Sequence, residues 1–175
     1  MILETERLIL REFTPADLPD LREILQDPEV MYAYDHDFSE EDVQKWLNRQ
    51  FTRYRELGFG LWAVILKSSG EMVGQTGLTM QPCEGEMLLE IGYLFKKRHW
   101  HQGYATEAAA GCREYAFGVL GADVVHCLIK ADNYASQRVA SRIGMTKVKE
   151  FTARFYSGDM LHYLYRLTNP SKSVD

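Results

Sequence analysis

The stretch Trp100-His101-Gln102-Gly103-Tyr104-Ala105-Thr106-Glu107-Ala108 sets one glycine among polar residues at the mouth of an alanine-rich run with helical spacing. The first backbone N–H groups of a helix have no internal partner and sit at the positive end of its dipole, so they favour an anion. Gly103 lets the backbone approach a ligand with no Cβ in the way. Ala105, Ala108, Ala109 and Cys112 recur on one helical face and are small enough to let the helix lie close to a sheet or a ligand. Lys96, Lys97 and Arg98, just upstream, raise the local positive potential within a Debye length, ~8–10 Å. These features suit the binding of a phosphate-like group; the plainer alternative is a capped amphipathic helix behind a solvated basic loop. Neither G-x-x-x-x-G-K-[ST] nor a G-x-G-x-x-G after a strand occurs, which excludes the nucleotide P-loop and the dinucleotide fingerprint. A second candidate is Glu90, which alternates with Leu89 and Ile91 and so points to the opposite face of its strand. A carboxylate inside so apolar a strand invites a role; the alternative is an edge or solvent-facing glutamate. Asp35-His36-Asp37 reads as a surface loop, because three adjacent side chains do not easily face one ion, and no metal is expected.

The elements that must position these residues follow from periodicity. Glu6 to Phe13 alternates like a strand. Thr14-Pro15-Ala16-Asp17 opens a helix, with Thr14 as cap and proline in the first turn. Asp27-Pro28-Glu29 suggests a second, short one. Ser39-Glu40-Glu41-Asp42 matches a capping box and leads into Val43, Trp46, Leu47, Gln50, Phe51 and Tyr54 at helical spacing. The period then changes to two: strands are predicted over Leu61 to Leu66, Met72 to Met80 and Met87 to Phe95, with a break at Gln81 to Gly85. A helix runs from Tyr104 or Ala105 to about Leu120. Val124 to Lys130 is a buried strand, Asn133 to Arg142 a helix, and Lys147 to Phe155 and Leu161 to Leu167 are strands joined by Ser157-Gly158-Asp159. The β-α-β unit in the second half requires one parallel pair. The result is a mixed α/β sheet rather than a doubly wound parallel one.

At 175 residues, with 46% hydrophobic and 26% charged side chains, the chain suits one globular domain, taken as residues 1–168 with a flexible tail at 169–175. A net charge of −5 argues against nucleic-acid binding. No apolar run is long enough to span a bilayer and no export signal is read, so no membrane partner is expected. The three cysteines, Cys83, Cys112 and Cys127, form no framework or C-x-x-C pair, which fits a reducing cytoplasm. Trp46, Trp62, Phe51, Cys112 and Cys127 read as core.

Trp100 to Ala108 resembles the acyl-CoA pyrophosphate loop of the GCN5-related N-acetyltransferases (GNATs), and its Trp-led form is similar to their ribosomal-protein N-acetyltransferase (RimJ/RimL-like) branch. Thr5 to Leu21 is similar to the branch's opening strand and helix. Gly70 to Leu78 and Leu89 to Phe95 are similar to its central hairpin and fourth strand. Asn133 to Met145 is similar to its last helix motif. Together these cover residues 5 to 167 in the right order. The resemblance implies an α+β (mixed α/β) GNAT fold: a twisted, mostly antiparallel sheet with one parallel pair splayed at the fourth and fifth strands, and helices on both faces. His101 departs from the usual second glycine, and Ala140 stands where many members carry a tyrosine that protonates the leaving thiolate.

The resemblance further implies direct transfer of an acetyl group from acetyl-CoA to a primary amine, either a small molecule or a protein N-terminus. A non-catalytic acyl-CoA-binding sensor or interaction module is the alternative. Backbone N–H groups in Tyr93, Leu94 and Phe95 would polarise the thioester carbonyl. Arg98, Trp100, His101, Gln102, Gly103, Tyr104, Ala105 and Thr106 would form the pyrophosphate loop, with Asn133, Ser136 and Arg138 also on the cofactor; Arg142 is a further candidate for its phosphates. Glu90 would be the base and Ser136 the donor to the thiolate, with Tyr134 as runner-up. The loop before the capping box and the helix Asp42 to Glu56 would flank the acceptor, making Met31, Tyr32, Tyr34 and Asp35 expected contacts, and Asp37 beside them, with the acids attracting an amine. The branch often pairs, and Phe151, Phe155 and Tyr156 offer apolar surface for a homodimer.

Overall fold

Leu8 and Leu10 are fully buried while Ile9 and Arg11 keep solvent contact, so the alternation near the N-terminus does make a strand. In the computed structural model, which describes residues 1–155 and 158–172 (the side chain of Phe155 excepted), this strand is β2 (Leu8–Arg11). A two-residue strand not read from the sequence, β1 (Leu3–Glu4), folds back on it. The chain then enters a 3-10 turn, Pro15–Asp17, and α1 (Leu18–Leu25). Asp17 closes the turn by accepting from Thr14 N at 2.7 Å and receives the Arg11 guanidinium at 2.7 and 2.8 Å. Burial pushes its carboxyl up, but Arg11 and Thr14 outweigh that and hold it below the usual range.

The short helix expected after Asp27 is not α-helical. Asp27 Oδ1 accepts from Glu29 N at 2.9 Å, and such a side-chain turn competes with a helical start. The only helical piece in this loop is a 3-10 turn, Tyr32–Tyr34. The capping box does form: Ser39 Oγ accepts from Asp42 N at 3.2 Å and Asp42 Oδ2 from Ser39 N at 3.0 Å, opening α2 (Glu40–Leu57). His36, in the acidic loop, turns to that same cap, with Nε2 3.2 Å from Asp42 Oδ2.

Next come β3 (Leu61–Leu66), β4 (Met72–Cys83) and β5 (Glu86–Phe95). The expected break at Gln81 shrinks to Glu84-Gly85, because β4 carries Pro82 without penalty. Leu78 N faces β3, donating to Gly60 O at 3.0 Å, so Pro82 turns its missing N–H the same way, beyond the point where β3 ends. The second half is α3 (Tyr104–Gly118), β6 (Val124–Lys130), α4 (Tyr134–Arg142), β7 (Thr146–Phe155) and β8 (Gly158–Thr168). The sheet order is β1-β2-β3-β4-β5-β6-β8-β7, antiparallel throughout except for β5 and β6. No helix of the described residues is long and apolar enough to cross a membrane.

Each face of the sheet has its own core. Trp62, Val64, Ile91 and Phe95 meet α3 and α4 on one side, where Ala108, Ala109, Cys112 and Ala116 are fully buried and let α3 lie close. Leu61, Ala63 and Met72 meet α1 and α2 on the other. Phe151, expected on a dimer surface, packs inward against Cys83 and Leu164. Tyr156 and Ser157 lie outside the described residues, as do residues 173–175 of the expected tail. The tail's first part is held: Asn169 is buried and donates from Nδ2 to Ala122 O at 3.0 Å, and a 3-10 turn, Pro170–Lys172, follows.

Lys96 is one of the largest fully buried side chains, with Nζ 2.6 Å from Asp20 and 2.9 Å from Glu23 on α1. It therefore pins the end of β5 to α1. Lys96→Ala is expected to cost about 2 kcal/mol. The loss stays moderate because both acids keep solvent contact and can rehydrate. Lys96→Met should recover part of it by refilling the stem's volume. Urea midpoints of the two variants check this; an unchanged midpoint for Lys96→Ala would rule it out.

Candidate active site

The site is set by which way β5 turns its backbone. Lys96 N donates to Val73 O at 3.0 Å, so even-numbered residues of this extended run face β4 and odd-numbered ones face β6. On the β6 side, two of the carbonyls are met by side chains: Cys127 Sγ donates to Ile91 O at 3.2 Å and Trp100 Nε1 to Phe95 O at 2.9 Å. The His126 ring lies 3.3 Å from Leu89 O. The two strands register only at Glu90 and His126. Beyond that point they part, and the N–H groups of Tyr93 and Phe95 face the gap. The gap opens into a cavity of about 850 Å³.

Side chains reach the gap from both faces. Glu90 shares its face with Leu94, which packs toward α1 and α2. Burial pushes its carboxyl up to about 8, and the nearby Arg53 opposes that rise. Tyr93 shares its face with Ile91 and Phe95, on the α3 and α4 side. Its hydroxyl donates to Ser136 O at 2.9 Å and accepts from Ser136 Oγ at 2.9 Å. Burial, more than any other influence, holds this phenol well above its ordinary pKa. Ser136 is fixed by Asn133, whose Oδ1 accepts from Ser136 N at 3.1 Å and caps α4. The cap leaves the Asn133 Nδ2 group for the cavity it lines. Tyr134 is exposed and lies with Arg138 and Arg142 in a separate shallow groove on α4, away from Tyr93.

The loop into α3 bends through two left-handed residues, His101 (φ 61°) and Gly103 (φ 82°). Glu107 N to Gly103 O, at 3.0 Å, is the first turn's helical bond, so the N–H groups of Tyr104, Ala105 and Thr106 point out of the helix mouth. Arg98 and the lysines beside it do not charge this mouth as expected. Lys96 is bound as described, Lys97 sits 2.6 Å from Glu29, and Arg98 is paired with Glu23 and Glu71. The cation that does stand there is Arg7. Its Nη1 donates to Gln102 O at 2.9 Å, its guanidinium lies 4.6 Å from the centre of the Tyr104 ring, and Glu107 holds it at 2.6 Å.

Of the expected acceptor contacts, Tyr34 lines the cavity. Met31 is buried in the α1–α2 core. Tyr32 is exposed, with its ring 5.6 Å from Lys130 Nζ, and Asp35 lies on an exposed turn. Trp46, expected as core, has a wall position as well: its Nε1 donates to Gln75 Oε1 at 2.9 Å and both residues line the cavity. Arg49, Gln50 and Arg53 line it too: the helix expected to flank the acceptor does so, through residues not named for the site from the sequence. The signal was available, since Trp46, Arg49, Gln50 and Arg53 stand at i, i+3, i+4 and i+7 on α2.

A mixed sheet that parts at its one parallel pair, beside a helix mouth with free N–H groups, belongs to the class of acyl-CoA-dependent N-acyltransferases. The chain is a member of the acetyltransferase (GNAT) domain family, which it matches over residues 7–146. It is an N-acetyltransferase that uses acetyl-CoA. The uncharacterized protein YkkB of Bacillus subtilis (strain 168) is 38% identical over 144 residues, covering 82% of this chain and 84% of that protein. The crystal structure of a GNAT-family acetyltransferase from Bacillus anthracis superposes with a TM-score of 0.80 at 26% identity, over 95% of this chain and 98% of that one. A structure of RimL, a ribosomal L7/L12 α-N-protein acetyltransferase in complex with coenzyme A, has a TM-score of 0.77 over 95% of this chain and 97% of its own; at 16% identity this is likeness of fold alone.

Proposed function

We propose that the chain moves the acetyl group of acetyl-CoA directly to a primary amine, with Glu90 taking the amine's proton and Tyr93, backed by Ser136, donating to the departing sulfur. One observation carries this reading: Glu90 and Tyr93 reach the same strand gap from opposite faces of the sheet. Acetyl-CoA brings an activated thioester. The N–H groups of Tyr104, Ala105 and Thr106 suit its pyrophosphate, Asn133 Nδ2 its pantetheine arm, and the Tyr93 N–H its carbonyl oxygen. A carboxyl with a pKa near 8 is matched to an α-amine, whose own lies at ~7.7–8.0. That match speaks for turnover over a non-catalytic acyl-CoA sensor.

Tyr93 rather than Ser136 makes the final contact with sulfur in this scheme. The Ser136 hydroxyl already donates to Tyr93 Oη, whereas the Tyr93 proton rests on a helical carbonyl and can rotate away. Full proton transfer is not required, because a thiol with a pKa of ~8.5 is a tolerable leaving group. Thiol release with an amine panel tests the assignment. Tyr93→Phe should lower kcat by about tenfold to a hundredfold, and Ser136→Ala by only a few-fold, with coenzyme A affinity changed by less than about threefold in both. A larger loss in Ser136→Ala than in Tyr93→Phe would reverse the two roles.

A further inference from the structure

The α2 wall of the cavity carries two cations, Arg49 and Arg53, that make no ion pair among the described residues. Arg11 is forked on Asp17 and Arg22 on Glu40. Among the described residues no carboxylate lies within ion-pair distance of Arg49 or Arg53, and Arg53 bonds only to Gln50 Oε1, at 3.3 Å. Arg53 is half-buried, and desolvation and then its like-charged neighbour Arg49 both work against its charge. Two carboxyls line the cavity with them. Glu84 is held by Lys149, and burial favours the neutral form of Glu90.

Gln75, on the same cavity, carries a buried donor with no acceptor. It is fully buried and lines the same cavity, and its Oε1 is taken by Trp46 Nε1. The indole N–H can only donate, so the amide's orientation is fixed and its Nε2 turns elsewhere. That Nε2 has no partner. A buried donor without an acceptor costs ~1–3 kcal/mol, so this wall of the cavity is polar at a cost to the fold.

Resting on the acetyltransferase reading of this cavity, we propose that the acceptor is an amine bearing a carboxylate close to its reacting nitrogen, an amino acid or an acidic peptide terminus, with the carboxylate held by Arg49 and Arg53. Arg49, Arg53 and Glu90 line the same cavity, so an anion held by the two arginines shares that chamber with the nitrogen that Glu90 deprotonates. A guanidinium pair suits a planar carboxylate and repels the second cation of a polyamine. This reverses the expectation that acids near Asp35 draw in a cationic amine.

The test follows thiol release at saturating acetyl-CoA with matched acceptors: a panel of α-amino acids, their carboxamides, spermidine, and dipeptides beginning with aspartate or asparagine. The carboxylated member of a pair should exceed its neutral partner by at least about tenfold in kcat/KM. Arg53→Gln and Arg49→Gln should each shrink that ratio by about tenfold, mainly through KM. Taking the ratio cancels any effect of Arg53→Gln on Glu90 or on folding. Preference for the free amino acid puts the anion on the α-carboxylate, and preference for the aspartyl dipeptide puts it on a side chain; either supports the proposal. Equal or better turnover of carboxamides or spermidine overturns it and leaves the transferase intact. Calorimetric titration of N-acetyl amino acids into protein saturated with coenzyme A reads the site without turnover. Binding that Arg53→Gln weakens about tenfold supports the carboxylate site even if no amine is acetylated, and absence of binding overturns it.

Discussion

Glu90→Gln is expected to lower kcat/KM by about a hundredfold to ten-thousandfold, the range for loss of a positioned general base. The pH profile separates this from mere damage. In the native chain two groups must lose protons to solvent before a neutral amine attacks and passes its next proton to Glu90: the ammonium, and a carboxyl whose pKa burial has pushed to about 8. Below that pH the logarithm of kcat/KM should climb with slope two for an α-amine acceptor, and with slope one in the variant. Stability should move the other way. The folded pKa lies above the unfolded value of ~4.3, so the folded state keeps this proton longer. Its contribution to stability is therefore fully present below pH ~4.3, falls as pH rises toward about 8, and is constant above that. Glutamine does not ionise, so at pH 8.5 or so the variant should melt at the native temperature or a few degrees above it. Native kcat/KM with a slope of two in Glu90→Gln would remove Glu90 from the mechanism.

The parts of this site legible in the sequence were those specified by neighbours along the chain. Ser39 and Asp42 close their box within one turn, and Leu61–Leu66 and Val124–Lys130 are apolar runs bounded by turn residues, so both strands end where the pattern does. Glu90 was assigned its face by alternation with Leu89 and Ile91. What the chain hid depends on residues far apart. Lys96, Lys97 and Arg98 read as a free basic loop, yet their acids come from Asp20, Glu23, Glu29 and Glu71. Arg7 reaches the helix mouth from about a hundred residues upstream by pairing with Glu107. Arg49 and Arg53 share a helical face with Trp46, but periodicity says only that they point together. It does not say whether solvent or a cavity lies opposite, and a helix arginine by default reads as solvated. Tyr93 and Ser136 meet only because α4 packs on the face of β5 that carries Ile91 and Phe95.

Gly77→Ala is expected to have the largest structural effect of any single methyl group in the sheet. Gly77 lies opposite Leu61 where β3 begins. A Cβ there would stand 2.1 Å from Gly60 O and 2.8 Å from Leu61 Cα. Both are backbone atoms, so no rotamer change relieves the clash and the strands must separate. A loss of about 3 kcal/mol or more follows, roughly 10 °C in Tm for a chain of this size. Gly118→Ala is the control, since a Cβ there meets nothing within 4 Å, and its Tm should stay within a few degrees. The consequence for activity is specific. Leu61 N donates to Gln50 Oε1 at 3.1 Å, and Leu61 O accepts from the Tyr54 hydroxyl, so displacing Leu61 shifts the α2 wall that holds Arg49 and Arg53. The gap-facing Tyr93, Ser136 and the mouth of α3 lie on the other face and keep their supports. In whatever fraction of Gly77→Ala folds at low temperature, KM for the amine should therefore rise more than KM for acetyl-CoA. Equal rises in the two would mean that the cavity moves as one body, and an unchanged Tm would mean that β3 and β4 are not as closely apposed as the glycine implies.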